Sequence, residues 1–213
     1  MTEIDSLQKV LGIVFQDVSC LERALVHRSY LNEAPAFLQD SNERLEFLGD
    51  AVLGAAVADE LYRRFPDFPE GDLTRLRSAL VQTETLARVA DSLNLGRYLL
   101  MGKGEEESGG RNKQRNLACV LEAIVGAVFI DNGFEATSAF VLRILEREFE
   151  KVSGEDFGRD AKTKLQELMQ ARDGMTPMYR TIDSSGPDHA RVFTVEVFAG
   201  DNLLGRGVGT SKR

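Results

Sequence analysis

The chain is poor in cysteine and lacks long apolar runs. Its 213 residues include only Cys20 and Cys119, too few for a disulfide framework, so we expect a reducing, cytoplasmic setting. The first residues, MTEIDSLQKVLGIVF, lack the basic start and apolar stretch of a signal peptide. No apolar run approaches the roughly 20 residues of a membrane helix, so we also expect no membrane partner.

Histidine is also scarce, which argues against two kinds of catalytic site. His27 and His189 are the only two. They suggest no Ser-His-Asp arrangement, and the Glu-x-x-His pairs of a carboxylate-bridged di-iron protein do not occur. We expect His27, in LVHRSY, to belong to a structural hydrogen-bond network at a helix end.

The net charge of −8 is unevenly distributed. Residues 160–213 carry 8 Lys+Arg and 7 Asp+Glu, which leaves 18 and 27, respectively, in residues 1–159. An acidic front part does not hold a polyanion by its bulk charge. It would need cations or a separate binding module to do so.

The most informative stretch is NERLEFLGDAVLG, residues 42–54. In a helix, Glu46 and Asp50 lie four residues apart and project from the same face. Carboxylates are costly to bury without a positive partner, and no Lys or Arg lies one turn from both. The pair therefore predicts a divalent cation bound through oxygen ligands.

A second apolar segment, NLACVLEAIVGAVFID, contains a single acid in its middle, Glu122. A helix apolar on nearly every side is a core helix. A buried acid there is neutral, paired or bound to a metal. Beside the first two acids, the metal interpretation becomes the better one.

The front part of the chain has helical periodicity. We expect a helix that Ser41 caps and that Pro66 stops. A polar, glycine-rich loop is expected over residues 102–114, followed by the core helix over 116–131 and a glycine, Gly133, that closes it.

The back part of the chain changes character. Residues 151–159 lose the helical periodicity and are predicted to be a linker. Residues 160–213 predict one helix followed by three strands, and a sheet with one helix buries little core. We therefore expect an all-α domain over residues 1–150 and a small α+β domain of order α-β-β-β, truncated before its last helix.

Several segments together resemble the ribonuclease III family. In chain order they are LERALVHRSY at 21–30, NERLEFLGDAVL at 42–53, PEGDLTRLRSALV at 69–81 and LACVLEAIVGAVFID at 117–131. The tail, with AKTKLQELMQ, GPDHARVFTVEV and GRGVGTSK, resembles a double-stranded RNA-binding domain.

The resemblance implies a homodimeric endoribonuclease that hydrolyses double-stranded RNA and acts in rRNA and mRNA processing. It implies Mg²⁺, with Mn²⁺ as a substitute, and products with 5′-phosphate and 3′-hydroxyl ends. By position, Glu46, Asp50 and Glu122 match metal-ligand carboxylates, and we assign Asp50 and Glu122 as catalytic. Glu43 and Phe47 match residues at the dimer junction, although without the resemblance Phe47 is equally well explained as monomer core.

One position departs from the family pattern. The family usually has Asp three residues before the core-helix Glu, and this chain has Cys119 there. A thiol is soft and usually protonated, whereas Mg²⁺ prefers hard oxygen ligands. We expect activity that needs more Mg²⁺; the alternative is a catalytically weak or inactive protein that binds double-stranded RNA. Glu70 matches a further acid near the family's site.

For RNA, the resemblance implies contacts with minor grooves and phosphates. The residues that match in position lie on the first helix of the tail, in the GPDHA turn and at the end of the chain; they are Thr163, Gln166, Glu167, Pro187, His189, Lys212 and Arg213.

Overall fold

The computed structural model describes residues 2–33, 40–154, 161–186 and 192–209. The chain divides into two compact units, Met1–Gly158 and Arg159–Arg213. The first unit is helical, and the second has one helix followed by a three-stranded antiparallel sheet. The predicted fold class is therefore confirmed.

The first unit is a cluster of helices around one apolar core. Its helices are α1 (Glu3–Leu11), α2 (Val18–Ala24), α3 (Arg28–Glu33), α4 (Glu43–Arg64), α5 (Glu70–Val81), α6 (Thr83–Ser92), α7 (Lys103–Glu107) and α8 (Gln114–Gly154), with 3₁₀ turns at Leu95–Tyr98 and Gly110–Asn112. The core draws on α1, α2, α4, α5, α6 and α8, and α4 and α8 form its most extensive helix pair.

Helix α4 starts and stops close to the predicted positions. Pro66 follows its C-cap residue, Phe65, as expected. The prediction that Ser41 is the N-cap is wrong, because Asn42 occupies that position and the Ser41 hydroxyl instead donates a 2.9 Å hydrogen bond to Glu43. The Asn42 side chain donates 3.2 Å to the carbonyl of Ala24, which anchors the start of α4 on α2.

Helix α8 is interrupted at Gly133, where φ is +77° and ψ is 178°. A side chain strains at such a φ, so the glycine allows the break that the sequence predicted. The helix continues to Gly154, so residues 151–154, the predicted start of the linker, are helical.

Within the described residues, the stretch Gln114–Val152 is long and apolar enough to cross a membrane by length and composition alone. Charged residues such as Glu122 and Asp131 interrupt the stretch, so no single apolar run in it reaches the length of a membrane helix. Of its most apolar part, 56% is buried inside the protein, as in an ordinary core helix, so the stretch is weak evidence for a span.

The segment 102–114 is more ordered than the predicted loop. It contains α7 and a 3₁₀ turn. Contacts of the Arg111 side chain stabilise this segment. The guanidinium of Arg111 donates to the carbonyls of Gly96 and Leu99 at 2.9 and 2.8 Å and pairs with Glu106 at 2.7 Å. The glycine-rich segment is therefore ordered by the contacts of one half-buried arginine.

The second unit consists of α9 (Ala161–Asp173) and the strands β1 (Met178–Ser185), β2 (Val192–Ala199) and β3 (Asn202–Gly209), in the order β1-β2-β3. Thr181 pairs with Val195, and Val197 pairs with Gly205. Among the described residues of this unit, only Met169, Pro177 and Thr194 are buried. The unit therefore has a small core, as expected.

Candidate active site

Two glycines allow α4 and α8 to cross at close range. A Cβ at Gly49 would lie 2.6 Å from the carbonyl carbon of Glu122 and 2.9 Å from the nitrogen of Gly126. A Cβ at Gly126 would lie 3.1 Å from the carbonyl carbon of Leu45. A side chain at Gly49 or Gly126 would therefore force the backbone of the opposite helix to move. The close approach sets Glu46 and Asp50 of α4 beside Glu122 of α8.

The predicted acids come together at this crossing. One ligand atom each of Glu46, Cys119 and Glu122 lies within 4.8 Å of the other two. Asp50, which is exposed one turn after Glu46, lies outside that tight group but lines the same cavity. Its charge is the strongest of those that raise the pKa of Glu122.

The surroundings of Glu122 disfavour its ionisation. Burial, followed by repulsion from Asp50 and Glu46, raises its pKa to about 7. Among the described residues, no lysine or arginine forms an ion pair with any of these three acids. In the part of the chain that the structure describes, the cluster therefore gathers carboxylates that no lysine or arginine contacts directly.

Cys119 contributes a neutral group to the cluster. Its thiol donates a hydrogen bond of 3.1 Å to Oε1 of Glu46. Burial, this hydrogen bond and the charge of Glu46 raise the pKa of the thiol to about 12. The side chain at the position of the family's aspartate therefore stays protonated at neutral pH and acts as a hydrogen-bond donor.

The donor set fits a divalent cation. Carboxylates of Glu46, Asp50 and Glu122 face one cavity and form no ion pair within the described part of the chain. Carboxylate oxygens are the ligands that Mg²⁺ and Mn²⁺ use. The protonated thiol of Cys119 is a poor ligand for such a hard ion. Three of the four family positions thus offer suitable ligands, and the fourth does not.

The acids form one side of an open cavity of about 870 Å³. The rest of the wall comes from the starts of α3, α4 and α8 and from α7. Most of its side chains are polar or charged, and one is aromatic. The residues are His27, Arg28, Ser29, Asn32, Asn42, Glu43, Phe47, Glu105, Lys113, Arg115 and Asn116. Sequence analysis missed most of this wall, because it is assembled from segments far apart in the chain.

His27 lines the cavity but is engaged in local structure. Its Nδ1 lies 2.7 Å from the Ser29 hydroxyl and accepts from the Ser29 backbone N–H at 3.3 Å. The backbone N–H of Gly102 in turn donates 2.9 Å to the Ser29 hydroxyl. Burial lowers the pKa of His27. These contacts tie α3 to the segment before α7, in keeping with the structural role expected of this histidine.

The residues predicted at a dimer junction lie on the surface of the first unit. The Phe47 side chain is 81% exposed, so the explanation as monomer core is wrong. Glu43 is also exposed; it accepts from Ser41 and lies 3.7 Å from Arg28. Both residues also line the cavity that holds the acids.

The other predicted residues lie elsewhere. Glu70 does not line the cavity; its carboxylate accepts 2.8 Å from the Thr74 hydroxyl at the start of α5. In the second unit, Gln166 is exposed on α9. The side chains of Thr163 and Glu167, and the whole of Pro187, His189, Lys212 and Arg213, lie outside the described residues.

Comparison with known proteins assigns a family to both units. Residues 17–148 match the family described as ribonuclease-III-like, and residues 161–213 match the double-stranded RNA binding motif. The chain is 49% identical over 213 residues to a protein of Dehalococcoides mccartyi named Ribonuclease 3, covering all of this chain and 90% of that one. It is 46% identical to Ribonuclease 3 of Roseiflexus sp., covering 99% of this chain and 90% of the relative.

Solved structures give the same assignment. The nuclease domain of ribonuclease III from Campylobacter jejuni, in a structure described by its flexible region involved in dimer formation, superposes with a TM-score of 0.64. It is 42% identical and covers 70% of this chain and 99% of its own. The chain therefore belongs to the ribonuclease III family of double-stranded RNA endoribonucleases.

Proposed function

We propose that the chain cleaves double-stranded RNA by Mg²⁺-dependent phosphodiester hydrolysis, with Mn²⁺ as a substitute, leaving 5′-phosphate and 3′-hydroxyl ends. The observation that carries the proposal is the meeting of Glu46 and Glu122 in one open cavity, with Asp50 on the same wall. The cavity is polar and bordered by basic side chains, as a site for a sugar-phosphate backbone must be.

The protein's own contribution is to hold and position. Glu46, Asp50 and Glu122 would hold the cation, and the close crossing at Gly49 fixes the spacing of their helices. When bound, such a cation supplies Lewis-acid stabilisation of charge on the phosphoryl group and lowers the pKa of water. The partly buried carboxyl of Glu122 could also hold a proton near neutral pH.

We extend the proposal to a homodimer. Phe47 supports this because a large exposed aromatic next to the catalytic cavity would be covered by a second copy. Two copies related by a two-fold axis place one active site on each RNA strand, which gives a staggered double cut. Glu43, one helical turn before Phe47 on α4 and near Arg28, would lie at the same junction.

The second unit would grip the duplex. Its match to the double-stranded RNA binding motif supports contacts to minor grooves through α9 and the GPDHA turn. We propose a nuclease domain that extends to the end of α8 at Gly154, a linker that ends at residue 159 and an RNA-binding domain over residues 160–213, in a cytoplasmic enzyme of rRNA and mRNA processing. Neither the cavity nor the relatives favour the alternative of a protein that binds RNA without cutting it.

The test is cleavage of a long RNA duplex by the purified chain in Mg²⁺ and, separately, in Mn²⁺. We expect short products with 5′-phosphate ends, and loss of at least roughly 100-fold in rate for Glu122→Gln, because one cation ligand is removed. The single strands of the same RNA are the substrate control. Failure to cut the duplex in either metal, by a chain that folds normally, would overturn the proposal.

A further inference from the structure

The cavity contains three basic side chains, and two of them are already paired. Arg28 lies 3.7 Å from Glu43, and Lys113 lies 2.9 Å from Glu105. Arg115 forms no ion pair with any carboxylate among the residues that the structure describes, and it is exposed. It is therefore the basic group of this wall most available to a ligand.

Arg115 faces the same way as the acids of its helix. Arg115, Cys119 and Glu122 occupy positions i, i+4 and i+7 of α8, which is one helical face. All three line the cavity.

The position of Arg115 is unfavourable for the helix itself. Helix α8 begins at Gln114, so Arg115 lies in its first turn, where the helix dipole disfavours a cation, and no acidic residue occurs in that turn. Neither an ion pair nor helix stability accounts for this residue. A local rule that is broken without a structural gain points to function.

Cys119 keeps Arg115 available. An aspartate at position 119 would lie four residues after Arg115, the spacing at which opposite charges pair along a helix. The thiol carries no charge and donates its hydrogen to Glu46 instead. The departure from the family pattern thus removes a competitor for the guanidinium.

We propose that Arg115 binds a phosphate group of the RNA strand next to the one being cut. The inference rests on the proposed function and adds a substrate-binding residue to it. A guanidinium presents two parallel N–H donors to phosphate oxygens, which fixes the position of a strand as well as attracting it. The acids and their cation then occupy one end of the cavity, and the neighbouring phosphate occupies the other.

The main test measures duplex binding without cleavage. Affinity of the Glu122→Gln chain for an RNA duplex is compared with that of Glu122→Gln/Arg115→Gln between about 50 and 200 mM salt. We expect several-fold weaker binding and a slope of log affinity against log salt that is smaller by about one. Arg115→Lys, which keeps the charge, should restore the slope.

A matched control separates this contact from general charge. Arg77→Gln makes the same change of charge at an exposed helical position that does not line the cavity, and it should leave the slope unchanged. In the cutting enzyme, Arg115→Gln should raise KM several-fold and change kcat less. An unchanged slope for Arg115→Gln, or an equal loss for Arg77→Gln, would overturn the proposal.

A second comparison tests the role of the thiol. In a Cys119→Asp background and without added divalent cation, the new carboxylate should pair with Arg115, so that Arg115→Gln weakens binding less than it does beside the native cysteine. Equal losses in both backgrounds would overturn the claim that Cys119 keeps the guanidinium available. Because these experiments measure binding, a parent chain that binds duplex RNA but fails to cut it would refute the proposed function and leave the Arg115 contact testable.

Discussion

The thiol of Cys119 donates a 3.1 Å hydrogen bond to Oε1 of Glu46, across the crossing of α4 and α8. Cys119 thus places a neutral hydrogen-bond donor in the acid cluster, at the position where the family usually has a charged aspartate. It relieves repulsion among the acids when no cation is bound, but it offers a hard cation one ligand fewer.

The first prediction concerns the demand for metal. Cys119→Asp should lower the Mg²⁺ concentration that gives half-maximal cleavage by roughly 10-fold, because a hard oxygen ligand replaces a protonated thiol. Rates measured over a Mg²⁺ titration provide the check. Cys119→Ser, which stays neutral, should titrate like the parent; activity that appears only with Cys119→Asp would mean that the native chain is inactive.

The second prediction concerns the crossing of the helices. Gly49→Ala should lower the free energy of unfolding by about 3 kcal/mol, the upper part of the usual range for overpacking. The reason is that the new methyl group would clash with the backbone of Glu122 and Gly126. It should also lower the cleavage rate by separating Glu46 from Glu122. Denaturant unfolding measures the first effect and duplex cleavage the second.

The control for this substitution lies on the same helix. A Cβ at Gly54 meets nothing within 4 Å, so Gly54→Ala should stabilise the chain by about 0.5–1 kcal/mol through helix propensity alone. If Gly49→Ala were equally harmless, the close approach would not be what positions the acids.

The third prediction concerns assembly. Phe47→Asp should convert the proposed dimer to monomers and abolish double-strand cutting. The unfolding free energy of the protomer should stay within about 0.5 kcal/mol of the parent value, because the side chain is exposed in the single chain. Sedimentation measures the mass. Val14→Asp changes another exposed apolar residue, one that does not line the cavity, and should leave the dimer intact. A dimeric Phe47→Asp would contradict the assignment of this residue.

The fourth prediction concerns pH and stability. Glu148 is 11% exposed and accepts hydrogen bonds from Arg88 at 2.9 Å and Lys151 at 2.6 Å. Burial opposes its ionisation, but the hydrogen bonds and charges of these two partners outweigh burial and lower its pKa below the ordinary value of 4.5. The ion pairs therefore stabilise the fold fully above that value, and their contribution is lost as the pH falls through the folded-state pKa.

Glu148→Gln should accordingly lower the free energy of unfolding by about 1 kcal/mol at pH 7. The loss is modest because Arg88 and Lys151, which lose their charged partner, remain accessible to water. The difference from the parent should shrink as the pH falls below 4.5. Asp59→Asn removes an exposed pair with Arg63 and should have little effect at either pH. A difference for Glu148→Gln that grew on acidification would refute the sign of this argument.

The sequence by itself determined the fold class and the three acids of the cluster. Helical periodicity and the isolated charge of Glu122 in an apolar helix carry that information locally, because burial of a carboxylate demands a partner wherever the helix lies. Gly133 was likewise readable, since a break between two helical segments needs a residue that tolerates positive φ.

Only the tertiary structure decided how the acids meet and what faces them. Gly49 and Gly126 matter because they have no side chain. Their role becomes visible only when the two helices, which are far apart in sequence, are seen to cross at these glycines. The exposure of Phe47, the anchoring of α7 by Arg111 and the open position of Arg115 likewise depend on contacts between segments far apart in the chain. Periodicity reports which face of an element is buried, whereas a site depends on where the faces of different elements converge.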